Sequence, residues 1–583
     1  MRSKISACIL LLVLMLLFTS CRFFYDLFGE HKGSGNTNIP TNPPVGQTIS
    51  ISYNDFETTP NEGGVYYKIP DDTTGIILTD LPLDKMVKLV RVNPTTTAIN
   101  NVSTVSAYSY DASADNSRRG YGAELDCIEE IKPSFDYSAS SCENDGNLFE
   151  IPFIDDTDYA KLEREYKENY SSRMVEPNRM VSGGQSFSEG ATKTFQVSGV
   201  TGGIPATLKA VGTNCYVWVS NGEGKYANYD STDYGESETR PNDDNKITTE
   251  QAQELANAFD GLYDLETSLI GESYTTNPNP SMYIMPQSKI SILVYDIEGD
   301  YSSNQKGGTF GMFWGGDLYN ASVQADANEM ELLYVDSYFT DRVFASVLST
   351  VAHEFEHMLY FVNKWIKQRI TISETWYTEM GAMMAEDCLA KYLSDAYPEF
   401  VVSVDSTLGR LKTFNSKYYS GGLAYWGSGE DALTSYAIAG IFGCWLQRNY
   451  GGGNLINQIV NNDATNEESI TKALSACGYS DTFSDALLKF ALSWAQPEAT
   501  EYKLKKSTTG TYALFEADPW NKIYSNVIQN ERIFGPVYVL GNYSGTIQPY
   551  GFWVSGWEKN QVTGIIFLFD SVSTEDKYIV ITD

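Results

Sequence analysis

Histidine is nearly missing from this chain of 583 residues, which has three, His31, His353 and His357. A site built from many imidazoles is excluded. Cysteine lacks pattern: of the eight, at 8, 21, 127, 142, 215, 388, 444 and 477, no two form C-x-x-C. A cysteine zinc site and thioredoxin-like chemistry are therefore excluded. Positive charge is short as well, 41 Lys and Arg against 75 Asp and Glu, for a net charge of −34 and a pI near 4.4. Nucleic acid and anionic membrane surfaces would be repelled, so neither is expected as a partner. Finally, no long apolar run follows Ile9 to Phe18. The rest of the chain is expected to be soluble.

What is present begins with an export signal. Arg2 and Lys4 precede that apolar run, and small Thr19 and Ser20 precede Cys21. Residues 1–20 are similar to a bacterial lipoprotein signal, although Phe18 stands where leucine is usual. The similarity implies lipidation of Cys21 and a lipid-anchored protein of the cell envelope, on the outer membrane or cell surface or facing the periplasm. Residues 21–47 turn to Gly, Asn, Thr and Pro and read as a flexible tether to the bilayer. Export permits disulfides, and Cys127 with Cys142 would close a short loop, but spacing assigns no pairing. The acidic runs Asp155-Asp156-Thr157-Asp158 and Asp243-Asp244-Asn245 could hold Ca2+, though neither completes a binding-loop pattern.

A chain of this length exceeds one core. Residues 48–246 carry strand patterns at Val65–Ile69, Met86–Val92, Thr194–Val197 and Cys215–Val219, so a β-rich N-terminal region is expected, with long loops from about Asn93 to Gly190. At 247 the pattern changes. Thr248-Thr249-Glu250-Gln251 opens a helix whose stripe is Ala252, Leu255, Phe259 and Tyr263. Strands are expected at Ile290–Tyr295, Thr309–Trp314 and Glu331–Val335, and helices at Ala432–Tyr450, Asn454–Val460 and Phe483–Trp494. Strands are expected again at Val537–Leu540, Phe552–Val554, Ile565–Phe569 and Tyr578–Ile581, and a domain at 247–497 with a β-rich C-terminal domain at 498–583 completes the expected α+β layout.

The chemistry concentrates in His353-Glu354-Phe355-Glu356-His357, an H-E-x-x-H pattern. Two imidazoles four residues apart stand one turn apart on one helix face and can share one ion. Phe344, Leu348, Val351, Phe355, Leu359 and Val362 form the opposite, core-facing stripe. Glu354 can reach a water on the ion. A metzincin would carry glycine and a further ligand where this chain has Tyr360 and Asn363, so that class is excluded. Downstream, a second helix capped by Ser373 would put Glu379 and Glu386, seven residues apart, on one face, with Glu374 pointing away.

The motif, with Glu374-Thr375-Trp376-Tyr377-Thr378-Glu379-Met380 and Met384-Ala385-Glu386-Asp387, resembles the hyicolysin family of bacterial metallopeptidases, within the gluzincins. Glu356 and Thr378 stand where that family commonly has glutamine and asparagine. The resemblance implies a zincin-like catalytic domain with one Zn2+ per chain, Glu379 as third ligand, Glu354 as general base and Glu386 orienting a histidine. With no histidine left, the oxyanion donor is expected among Tyr418, Tyr419, Tyr425 and Tyr436 or an arginine; Tyr436 resembles the tyrosine of some gluzincins. The expected function is a tethered zinc endopeptidase acting on polypeptides. The alternatives are a surface-binding lipoprotein that keeps the fold without turnover, and hydrolysis of a non-peptide amide or ester.

Overall fold

A computed structural model describes residues 47–59, 64–110, 121–125, 186–197, 200–221, 247–297, 309–342, 344–370, 373–396, 407–427, 430–495, 527–528, 531–532, 538–541, 543–557 and 561–582. All belong to the unit Val45–Asp583. The export signal, Cys21, the tether up to residue 46, Cys127, Cys142 and both acidic runs lie outside these residues, while Gln47, expected as the end of the tether, opens the first described strand. Among the described residues no helix is long and apolar enough to cross a membrane.

The strands before the first described helix are β1 (Gln47–Ser52), β2 (Glu57–Thr58), β3 (Gly64–Ile69), β4 (Thr73–Thr79), β5 (Met86–Val92), β6 (Val105–Tyr110), β7 (Tyr121–Glu124), β8 (Thr192–Phe195), β9 (Ile204–Val211) and β10 (Cys215–Ser220). Helix α1 (Thr249–Leu269) follows, then β11 (Ile290–Tyr295), β12 (Gly311–Phe313) and β13 (Leu332–Asp336). Helices α2 (Ser337–Arg342), α3 (Phe344–Tyr360), α4 (Thr375–Ala396), α5 (Thr407–Lys417), α6 (Glu430–Asn449), α7 (Gly453–Asn461), α8 (Asn466–Ala476) and α9 (Phe483–Trp494) come next. A short hairpin, β14 (Val527–Ile528) and β15 (Glu531–Arg532), and strands β16 (Phe552–Trp557), β17 (Ile565–Phe569) and β18 (Asp576–Thr582) complete the series.

The flanking strands do not form two separate β domains. One sheet runs β1-β4-β17-β6-β7 and another β16-β5-β18-β3-β2, so strands from both ends of the chain alternate in each. β17 lies between β4 and β6, and β18 between β3 and β5. Between the sheets Leu78, Val87, Leu89, Phe567, Ile579 and Ile581 form one core. The alternation along β5 and β18 puts Val90, Val92, Tyr578 and Val580 on the other face, within the core of the helices. β6 and β7 fall where long loops were expected. Val537–Leu540, read as a strand, is irregular where described, at Tyr538–Leu540.

The boundary expected at 247 falls inside a third sheet. Its order is β12-β13-β11-β10-β9-β8, so β8 to β10 share it with β11 to β13. β10, β11 and β13 are parallel, and β12 runs antiparallel at the edge. β13 leads through α2 into α3, the helix that carries the motif. α1 begins with a capping box between Thr248 and Gln251, as its sequence indicates. Phe355, on the buried side of α3, packs on Phe259 and Tyr263 of α1 at 5.1 and 5.5 Å.

α4 lies against both α3 and α6. At Gly443 of α6 an added Cβ would meet Met380 and Met384 of α4 at under 3 Å, so glycine is what lets the two helices approach. Asp387 of α4 fixes their alignment by accepting two bonds from Arg448, at 2.8 and 2.5 Å, and one from Gln447 at 2.8 Å. Positive φ at Gly451 and Gly452 ends α6 and turns the chain into α7, the stop that three successive glycines indicate. Ser373 does not begin α4 as its cap: its hydroxyl pairs with that of Tyr360, and the first backbone bond runs from Tyr377 to Glu374.

After α3 the chain continues as a π-helical segment, Phe361–Lys367, which buries Lys364. Its ammonium donates to the carbonyls of Asn462 and Ala464 and to the Asn462 amide oxygen. Burial nevertheless lowers its pKa to about 7. The unfolded lysine keeps its proton up to about 10.4. Between these values the unfolded chain holds the extra proton, so stability rises with pH; below about 7 the full cost is present, and above about 10.5 it has gone. Denaturant unfolding at pH 7.5 and 9.5 should show parent stability rising by up to about 1.4 kcal/mol per pH unit relative to Lys364→Met. Equal pH slopes would refute the assignment.

Candidate metal centre

α3 and α4 meet at four titratable side chains. His353 Nε2 lies 3.1 Å from His357 Nε2 and 3.0 Å from Glu379 Oε2, which is 3.5 Å from His357 Nε2. The side chains of His353, His357 and Glu379 are each at most 1% exposed. On the far side of the first ring, His353 Nδ1 lies 2.6 Å from Glu386 Oε1. The structure thus brings Glu379 and Glu386 to the histidines together, as their spacing indicates, while Glu374 turns away to accept from Trp376 Nε1 at 2.7 Å.

The contacts decide the proton positions. Burial opposes charge on Glu379, but His357 and His353 outweigh it and hold the carboxyl well below the usual range. Burial likewise opposes charge on Glu386, and Arg410 and His353 hold it ionised. An ionised Glu386 can only accept, so His353 Nδ1 carries a hydrogen, and in the neutral ring Nε2 then carries the lone pair. Burial lowers the pKa of His357 and favours its neutral ring, despite the pull of Glu379. Electron-rich atoms therefore converge on one point.

His353, His357 and Glu379 form a group able to hold a metal ion. Bond lengths of about 2.0–2.1 Å in a tetrahedral zinc site require donors about 3.3 Å apart. The observed separations of 3.0, 3.1 and 3.5 Å bracket that value, so the donor set fits zinc.

Glu354 is 2% exposed, and its Cγ would lie 3.6 Å from a Cβ added at Gly311 of β12. The base candidate therefore stands beside the edge strand. Tyr436 is buried on α6 and packs edge-on against Trp426 at 5.0 Å. Of the other tyrosines, Tyr418 packs on Phe552, the Tyr419 carbonyl accepts from Trp553, and Tyr425 is 38% exposed.

Three participants were not read from the sequence. Ser349 donates to Glu386 Oε2 at 3.1 Å, and lies one turn before His353 on the same face. That spacing could have revealed it. Arg410 of α5 donates two bonds to Glu386, at 2.7 and 3.1 Å, and no local pattern links the two. Glu356 lies fully buried within the motif, its Oε2 3.5 Å from His357 Nδ1, and burial pushes its pKa up to about 8.

A sheet-fed helix presenting two imidazoles, met by a carboxylate from the next helix, is an arrangement able to hold one metal ion at an H-E-x-x-H motif. The family model for peptidase M30 matches residues 236–544, and the chain belongs to that family, the hyicolysins. It is 27% identical over 277 residues to the neutral metalloprotease ShpI of Staphylococcus hyicus, covering 46% of this chain and 53% of the relative. The chain thus spans about half the length of that curated relative.

Proposed function

We propose that this chain is an exported, lipid-tethered zinc endopeptidase of gluzincin type. The observation that carries the reading is the convergence of His353 Nε2, His357 Nε2 and Glu379 Oε2, three buried donors spaced for one ion. Export and lipidation at Cys21 rest on residues 1–47 of the sequence alone.

A bound zinc supplies a lowered pKa for a water molecule and polarises the scissile carbonyl. Glu354 takes the proton of the attacking water and delivers it to the leaving amine. Glu386 holds His353 in the tautomer that presents Nε2. Strand β12 ends the order of its sheet next to Glu354, so an extended polypeptide can lie along it with a peptide bond near that carboxylate. Tyr436 is the proposed donor to the developing oxyanion.

The test is metal content with cleavage of unfolded casein, on protein beginning after Cys21. The parent should contain one zinc per chain, lose cleavage on chelation and recover it with stoichiometric zinc. Zinc without cleavage would favour the binding-protein reading; no zinc would refute the central proposal.

A further inference from the structure

Arg410 lies outside the metal-donor group, yet its surroundings fix its geometry closely. Its guanidinium, 11% exposed, grips both oxygens of Glu386, whose Oε1 faces His353 Nδ1 at 2.6 Å. Ser349 supplies a further bond to Oε2. Without the arginine, a buried carboxylate would keep only an imidazole and a hydroxyl. It could then turn away from the ring.

The stem of Arg410 is fixed as well. An added Cβ at Gly440 of α6 would lie 3.2 Å from Arg410 Cδ and 2.6 Å from Met383 Sδ, so the space beside the arginine exists because residue 440 is glycine. One turn on, Phe414 of α5 packs on Trp494 at 4.6 Å and faces Phe552 of β16 at 6.4 Å. Tyr418, directly after α5, stacks on Phe552 at 5.0 Å. β16 to β18 lie beyond the stretch matched by the family model, which ends at 544. The shared sandwich therefore buttresses the helix that aims Arg410.

We propose that Arg410 is a positioning residue for the metal: it holds Glu386 on His353 Nδ1, and so keeps His353 Nε2 oriented towards the ion. Because a guanidinium presents a planar fork and an ammonium a point charge, lysine replaces only part of this function.

The inference rests on the zinc reading, and zinc affinity measured by competition with a chromophoric chelator separates the two. Arg410→Met is expected to weaken zinc binding by about 10- to 100-fold. Arg410→Lys should fall between, about 3- to 10-fold weaker than the parent. Thermal unfolding of the metal-free proteins is the control. If Arg410→Met lowers stability while the folded variant binds zinc as tightly as the parent, the arginine is only structural and the proposal fails. If Arg410→Met does not fold, Arg410→Lys decides, and parental affinity in that variant overturns the proposal. A parent that binds no zinc refutes the proposed function instead.

Discussion

Glu354→Gln is expected to keep one zinc per chain and to lose casein hydrolysis by about 10²- to 10⁴-fold. The amide has nearly the shape of the carboxylate, so packing beside Gly311 is retained. It cannot accept a proton from water, so the chemical step loses its base. Glu354 is outside the metal-donor group, and its replacement should spare metal content. Paired measurements of zinc and turnover check both halves. Lost zinc would make Glu354 part of the metal site; full activity would remove it from the proposed mechanism.

Ending the chain after residue 560 is expected to abolish the sandwich, although every residue of β1 to β7 remains. β17 and β18 are interior strands of their sheets, so each loss exposes two neighbours. Ile565, Ile566, Phe567, Leu568, Phe569, Tyr578, Ile579, Val580 and Ile581 are all buried. At about 1.5–3 kcal/mol for each buried apolar side chain, their loss matches or exceeds the roughly 5–15 kcal/mol that stabilises a typical domain. Limited proteolysis with mass mapping should show residues 64–110 cut rapidly in the shortened chain and protected in the parent. Equal protection would contradict the strand pairing.

What could be read from the sequence was local and periodic. The spacing of His353 and His357, the seven-residue step from Glu379 to Glu386 and the capping box at Thr248 each depend on a helix repeat, and each has its expected geometry. Strands such as Met86–Val92 and Ile565–Phe569 were equally legible, because a buried strand shows as an apolar run between turn residues. Their partners were not. β5 pairs with β16 and β18, and side-chain contacts such as that of Asn93 with the Ile547 carbonyl span 454 residues, a distance over which no period is visible. Arg410 was missed for the same reason: it meets Glu386 only because α5 and α4 each pack against α6.

The interleaved sheets also impose an order in time. β3, β4, β5 and β6 leave the ribosome hundreds of residues before β16, β17 and β18 exist, and until then their edges have no interior strands to pair with. Closure of so long a loop is slow, and unfinished sheets aggregate readily. In the proposed export of an unfolded chain, the sandwich would close only after the last strand had crossed the membrane. Arg410 is buttressed from that sandwich, so the proposed metal centre would reach full affinity late, only once the last strand is in place.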